Sequence, residues 1–432
     1  MKKRIAPLIA AVASVVLLSN ILNFTVSTSR FSESYPAVVC PPNRPGLSTA
    51  ISLTSTTNLV RKTGTSSMQS TQVGIRRFAV ASQSAIIESG RVTPVVWQVR
   101  KDVWAGAVPC SSPQLTQWFV GATAGITSKG SLNIVNSGLG RALVDILIYT
   151  ENGALAPRAI SIRANSYIRL SLASLAPGSK RLAIALLPKS GRINGFLIDE
   201  RGRGLRALGG DLVNSVTAAS THLQIPAIPV QTGPNASTSH TLRLLVPGEV
   251  DARISAEIRS TDGTFAPVGI NGQVIAHQKV IELPMNIKME AGSFALHITS
   301  DQPILGSVFS PTLVQGKRDF LWSTPAAALT EFTLATTGLS PTLVFTGKRV
   351  KLKLDVTYNN GKLKSFNIEE EDFATFALPG SARSVTFKAI AKGVSGAALI
   401  TSRNGYGYLP LNPGSVLTKS SIPASNIRVL NP

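Results

Sequence analysis

Apolar and polar residues alternate with a period of two along several stretches of the chain. Val350, Leu352, Leu354 and Val356 interleave with Lys351, Lys353 and Asp355, and Ile254, Ala256 and Ile258 interleave with Arg253, Ser255 and Glu257. This period places one set of side chains on a buried sheet face and the other in water. Asn152-Gly153, Asp262-Gly263 and Asn360-Gly361 follow these strands. Such pairs supply the positive φ of a two-residue hairpin turn. With the turn centred on each pair, Thr150 faces Leu155, Ser260 faces Phe265 and Tyr358 faces Leu363.

The layout occurs three times. Leu132-Asn133-Ile134-Val135-Asn136, the strand from Ala142 to Tyr149 and Asn152-Gly153 correspond to Leu242-Arg243-Leu244-Leu245-Val246, the strand from Ala252 to Ile258 and Asp262-Gly263. A weaker copy starts at Leu343-Val344-Phe345 and turns at Gly361. The turn glycines Gly153, Gly263 and Gly361 lie 110 and 98 positions apart, a domain-sized period. Each copy closes with an alternating strand and a glycine-led one (Gly195, Gly306, Gly396). About six short strands per ~100 residues, without a long amphipathic helix, predict tandem immunoglobulin-like β-sandwich modules, an all-β fold. The expected division is 1–26 as signal peptide or membrane anchor, 30–125 as a divergent N-terminal β module, and 126–225, 226–330 and 331–432 as three sandwich repeats. Gly-, Ser-, Thr- and Pro-rich stretches near 201–240 and 310–340 read as linkers.

Met1-Lys2-Lys3-Arg4 precedes a 14-residue apolar run at 5–18, the layout of an export signal. No Ala-x-Ala cleavage pattern follows, which favours an uncleaved anchor with its basic end in the cytoplasm. Cys40 and Cys110 are the two cysteines. In an oxidising compartment they suggest one disulfide, with two free thiols as the alternative. The expected location is extracytoplasmic, in the cell envelope, anchored in the cytoplasmic membrane or secreted.

Charge changes the picture of partners. Lys and Arg number 43 against 22 Asp and Glu, a net charge of +21, although only 15% of residues are charged. This balance favours anionic polymers. No dense basic block with interleaved aromatics occurs, so nucleic acid is not expected. Lys351, Lys353, Lys362 and Lys364 around the third hairpin are candidate polymer-binding residues, the alternative being lysines that protect a sheet edge.

The search for catalytic and cofactor chemistry finds little. His222, His240, His277 and His297 have no metal-ligand spacing, and His297 reads as a solvent-facing strand residue. Ser239-His240 lacks a nucleophile elbow. Gly202-Arg203-Gly204-Leu205-Arg206-Ala207 misses the dinucleotide fingerprint and reads as a basic linker. Glu369-Glu370-Glu371-Asp372 reads as a solvated loop, without calcium-loop spacing. Trp97, Trp104, Trp118 and Trp322 fit interdomain packing, with a sugar platform as the alternative. No catalytic residue, metal site or cofactor is expected.

Trp118-Phe119 before Gly121, the Leu-x-Ile-x-Asn opening at Leu132, the alternating strand, the Asn-Gly hairpin and their recurrence from Leu242 to Trp322 resemble an actinobacterial family of exported or membrane-anchored proteins of unknown function. The resemblance covers about half the chain and brings no catalytic residues. Family members tend to be encoded near envelope glycosyltransferases, which implies a role alongside surface-glycan assembly. The expectation is a non-enzymatic envelope scaffold or partner-binding protein, with an envelope protein as partner and the membrane reached through the N-terminal segment. The alternative is a binding module for an anionic envelope polysaccharide.

Overall fold

The computed structural model describes residues 31–34, 37–55, 58–64, 71–74, 76–80, 82–88, 92–231, 239–289, 292–415 and 420–423. The apolar segment at 1–26 lies outside them. Among the described residues no helix is long and apolar enough to cross a membrane. Two units are distinguished. In one, Phe31–Ser34 and Ser420–Pro423 pair as an antiparallel ribbon, Phe31 opposite Pro423. The other, Pro36–Thr418, holds all the sandwiches.

The fold is all-β, with one short helix, Leu172–Leu175, among the described residues. The unit contains four sandwiches of one strand order. In the second, the sheet Gln117–Val120, Leu182–Ser190, Ala142–Thr150, Gly153–Ala154 packs on Ser166–Ser171, Ser131–Asn136, Ile193–Arg203, Arg206–Val213. Numbered along the chain, these are strands first-sixth-third-fourth over fifth-second-seventh-eighth. Val38–Val39 to Trp104–Pro109 repeat the order ahead of it, without the sequence pattern seen in the other three. Ser220–Val230 to Lys317–Ser323 and Phe332–Ala335 to Gly405–Pro410 repeat it behind. In the third sandwich the sixth and seventh strands run together as one 23-residue strand, Gly292–Val314, which passes from one sheet to the other.

Much of the stretches read as linkers, among the described residues, is strand. Residues 201–240 contain the second sandwich's last hairpin and the third's first strand, and 310–340 the corresponding elements one module on. Their Gly, Ala and polar content resembles a loop because these strands pack against other strands.

The hairpin registers also differ from expectation. Thr150 stands opposite Gly153 and Ser260 opposite Gly263. The Thr150 hydroxyl accepts the Asn152 amide at 3.1 Å and donates to the Gly153 carbonyl at 3.0 Å; Ser260 does the same with Asp262 and Gly263 at 3.1 and 3.3 Å. The hydroxyl closes the turn one residue early. Gly153 and Gly263, at φ 126° and 113°, leave it in a conformation that side chains resist. Tyr358 offers no such hydroxyl, so the third loop widens to Asn359-Asn360-Gly361 and Thr357 faces Leu363.

Each sandwich has its own apolar core, and the cores merge at the joints. Val135, Phe196, Ile198 and Leu212 of the second enter the core of the first, and Phe320 and Trp322 of the third enter that of the second. Ala227, Ala295 and Leu321 meet Val344, Leu399 and Tyr408 between the third and fourth. Val95, Trp97, Ala105 and Ala107 of the first sandwich lie in the core of the fourth. Thr333 and Leu334 pair in parallel with Val92 and Thr93 across this last joint. There Ser52 Oγ donates to the Thr337 carbonyl at 2.7 Å and Thr337 Oγ1 to the Leu53 carbonyl at 2.8 Å. The four sandwiches therefore close into a ring. The buried disulfide Cys40–Cys110 ties the beginning of the first sandwich to its end.

Candidate functional site

The last strand of every sandwich reaches the middle of the ring. Trp104–Pro109, Arg206–Val213, Lys317–Ser323 and Gly405–Pro410 run side by side in one direction. Trp104 lies at Gly210, Gly106 at Asp211 and Leu212, Gly405 at Ala105 and Gly407 at Ala107. Small residues make this approach feasible: a Cβ on Gly210 would stand 2.8 Å from Trp104 Nε1. Further along, Asn214 Nδ2 donates to the Tyr408 carbonyl at 2.8 Å and the Tyr408 hydroxyl to the Thr324 carbonyl at 2.5 Å. Beside these far ends lies a cavity of about 50 Å³, lined by Gln117, Phe119, Asn214, Pro410 and Asn412, which is room for one or two waters.

Three carboxylates are sealed at the crossing. Asp211 accepts the amides of Trp322 at 2.7 Å and Leu212 at 2.8 Å. Burial raises its pKa well above the ordinary carboxylate range; those two amides oppose the shift and nearby Asp319 and Asp199 add to it. Asp319 accepts the Gly210 amide at 3.0 Å, and burial pushes its pKa up to about 8. Asp199 is held by Arg201 at 2.7 Å and by Trp322 Nε1 at 3.0 Å. The Arg201 guanidinium lies over the rings of Phe309 and Phe320, 4.9 and 4.5 Å from their centroids. Buried Arg243 stacks on the Trp322 ring at 4.6 Å and pairs with Glu282 at 2.6 Å, and Glu282 also holds Arg181 at 3.0 Å. Burial lowers the Arg243 pKa, opposed by Glu282. At the neighbouring joint Glu200 is gripped by Arg44 at 2.5 Å and Arg100 at 2.9 Å. Each of these acids makes at least one contact to a neighbouring sandwich, so together they tie the modules to one another.

None of these acids was singled out in the sequence. Asp211 and Asp319 fall in the stretches read as linkers. The signal available was a charged or small residue inside otherwise apolar strands, as in Gly209-Gly210-Asp211-Leu212 and Asp319-Phe320-Leu321-Trp322.

The tips of the four last hairpins gather at one end of the crossing. The Asp102 amide donates to Asn404 Oδ1 at 3.2 Å, joining the first tip to the fourth across 302 positions. Asp319, next to the third tip, touches both Gly209 and Gly405. The supposed linker Gly202-Arg203-Gly204-Leu205-Arg206-Ala207 is the second tip.

Of the candidate polymer-binding lysines, Lys351 pairs with Glu369 at 3.0 Å and Lys353 lies 3.7 Å from Asp355, which also holds Lys388 at 2.9 Å. Lys364 stands opposite Val356, on the sheet face away from Lys351 and Lys353, with its ammonium 4.9 Å from the Phe366 ring centroid. Lys362 is at the turn. The four are not gathered on one face. Asp372, at the end of the acidic run, accepts a hydrogen bond from Thr264 of the third sandwich. Among the described residues no group of three or more His, Cys, Asp or Glu is arranged to hold a metal. His297 does not face solvent: its Nε2 meets Thr346 Oγ1 of the fourth sandwich at 2.7 Å, and burial lowers its pKa to about 4. Trp97, Trp104 and Trp322 are buried at joints, and Trp118 packs on Tyr149 at 5.9 Å. These positions are packing positions.

The Cys40–Cys110 disulfide is of a kind that persists in oxidising compartments, in keeping with an extracytoplasmic chain. No curated protein matches the sequence. A family of unknown function, DUF5719, matches residues 69–369, which takes in the second and third sandwiches and parts of the first and fourth, and the chain belongs to that family.

Proposed function

We propose that the protein is a non-enzymatic component of the cell envelope, a scaffold or partner-binding module working alongside surface-glycan assembly. It is exported, and residues 1–26 either hold it at the cytoplasmic membrane or are removed. The observation that carries the reading is the closure of four sandwiches around their last strands, with the buried acids spent on the joints. A ring of this kind holds its outer loops at set positions, which is what docking an envelope protein requires.

Complementation of cells lacking the protein tests this. Asp199→Asn, Asp211→Asn and Asp319→Asn variants that fold should support normal envelope growth, because no proton transfer is asked of them. A joint-opening Gly407→Leu variant should fail while still reaching the envelope. Loss of function in folded Asp→Asn variants would argue for chemistry at the crossing and against the scaffold.

A further inference from the structure

The four hairpin tips form an exposed basic pole. Lys101 lies on the first tip, Arg203 and Arg206 on the second, Lys317 and Arg318 on the third and Arg403 on the fourth; all six are exposed. Among the described residues none of them has an ion-pair partner, whereas Arg100 and Arg201, set back from the tips, are paired with Glu200 and Asp199. Lys129, on the loop beside the second tip, is exposed and donates to the Gly204 carbonyl at 2.8 Å. Asp102 is the one carboxylate on these segments.

Two large aliphatic residues stand out from the same pole. Leu205, at the apex of the second tip, is 106% exposed relative to a free residue, and Ile126 is 101% exposed. Ile126 belongs there because its neighbour Thr127 accepts the Gly202 amide at 2.8 Å. Fully exposed aliphatic side chains flanked by unpaired cations suit a surface that is anionic outside and apolar just beneath. A soluble polyanion would satisfy the cations and leave Leu205 and Ile126 in water.

We infer that this pole docks onto an anionic lipid surface, with Leu205 and Ile126 entering the headgroup layer while the surrounding Lys and Arg neutralise phosphates. The inference rests on the ring geometry and not on the scaffold role, so tip insertion and complementation can fail independently.

The test uses the full chain with an environment-sensitive fluorophore on Leu205→Cys, which reads insertion of the tip whatever residues 1–26 do. On vesicles of phosphatidylcholine with ~30% phosphatidylglycerol the emission should shift to the blue. It should not shift on phosphatidylcholine alone, and each reversed cation should weaken the response about fivefold or more. Combined Lys101→Glu, Arg203→Glu, Lys317→Glu and Arg403→Glu should abolish it. The same label on Leu139→Cys, in the loop at the opposite end of the second sandwich, should stay in water. No shift on anionic vesicles would overturn the inference. So would an equal shift with soluble polyphosphate or an anionic polysaccharide, which would make the pole a polymer site.

Discussion

The Asp319 carboxylate accepts the Gly210 amide at 3.0 Å, joining the last strands of two sandwiches 109 positions apart. Asp319 belongs to the third sandwich and Gly210 to the second, and Gly405 of the fourth packs on the same carboxylate. One side chain thus sits where three modules meet, and several properties of the ring depend on it.

Burial holds the Asp319 pKa at about 8 in the folded chain, above its ordinary value of 3.8. An acid whose folded pKa is raised binds more protons folded than unfolded, so stability falls as pH rises from about 4 to about 8. One such group contributes a slope of about 1.4 kcal/mol per pH unit, or ~2 kcal/mol between pH 6.5 and 8. Burial of His240 and His297 lowers their pKa values to about 4, so their contribution is present above 6.5 and lost as pH falls through 4. The window from 6.5 to 8 therefore isolates the acids. Urea unfolding across it should show falling stability for the native chain and a flatter profile for Asp319→Asn, with residual slope from Asp211.

Gly210→Ala should destabilise the ring by about 1–3 kcal/mol, because the added Cβ meets the buried Trp104 indole from 2.8 Å. Gly248→Ala has open space around it and should change little. Thermal unfolding of both variants beside the native chain checks the contrast.

Reduction of Cys40–Cys110 opens a loop of 70 positions. Chain entropy sets the expected loss at about 4 kcal/mol. Denaturant unfolding with and without reductant, repeated on Cys40→Ala with Cys110→Ala, should give matching losses.

Reversing Lys351 and Lys353 should leave co-sedimentation with anionic envelope polymer within about twofold, since exposed charges already paired with acids add little. A loss of tenfold or more would restore the hairpin as a polymer site.

The alternating strands, the hairpins and the cysteine pair were legible because each is written locally. Val350, Leu352, Leu354 and Val356 face their own core, and their period shows it. The turn registers were misread because the Thr150 and Ser260 hydroxyls, and not the dipeptides alone, decide where the chain reverses. The last strands escaped because they are buried by other sandwiches. Gly209, Gly210 and Gly407 are small for the sake of partners 100 to 300 positions away, which no local pattern reveals. The same holds for Asp211 and Asp319, whose burial exists only once the ring has closed. The first sandwich shares the strand order of the others without their Asn-Gly or Asp-Gly turn, so its kinship lies in topology.

Ring closure is tested most directly by distance. Spin labels on Lys101→Cys and Arg403→Cys sit beside Asp102 and Asn404, which are hydrogen-bonded at 3.2 Å. In a ring, the separation should be under about 20 Å, the residue contact plus the short chain and label arms. Sandwiches strung in a line would put two intervening modules between the labels, each about 35 Å long by the length of an eleven-residue strand, for a separation of roughly 70 Å. Pulsed electron–electron distance measurement separates these values. A short distance is what the closed ring requires, and a long one would contradict it.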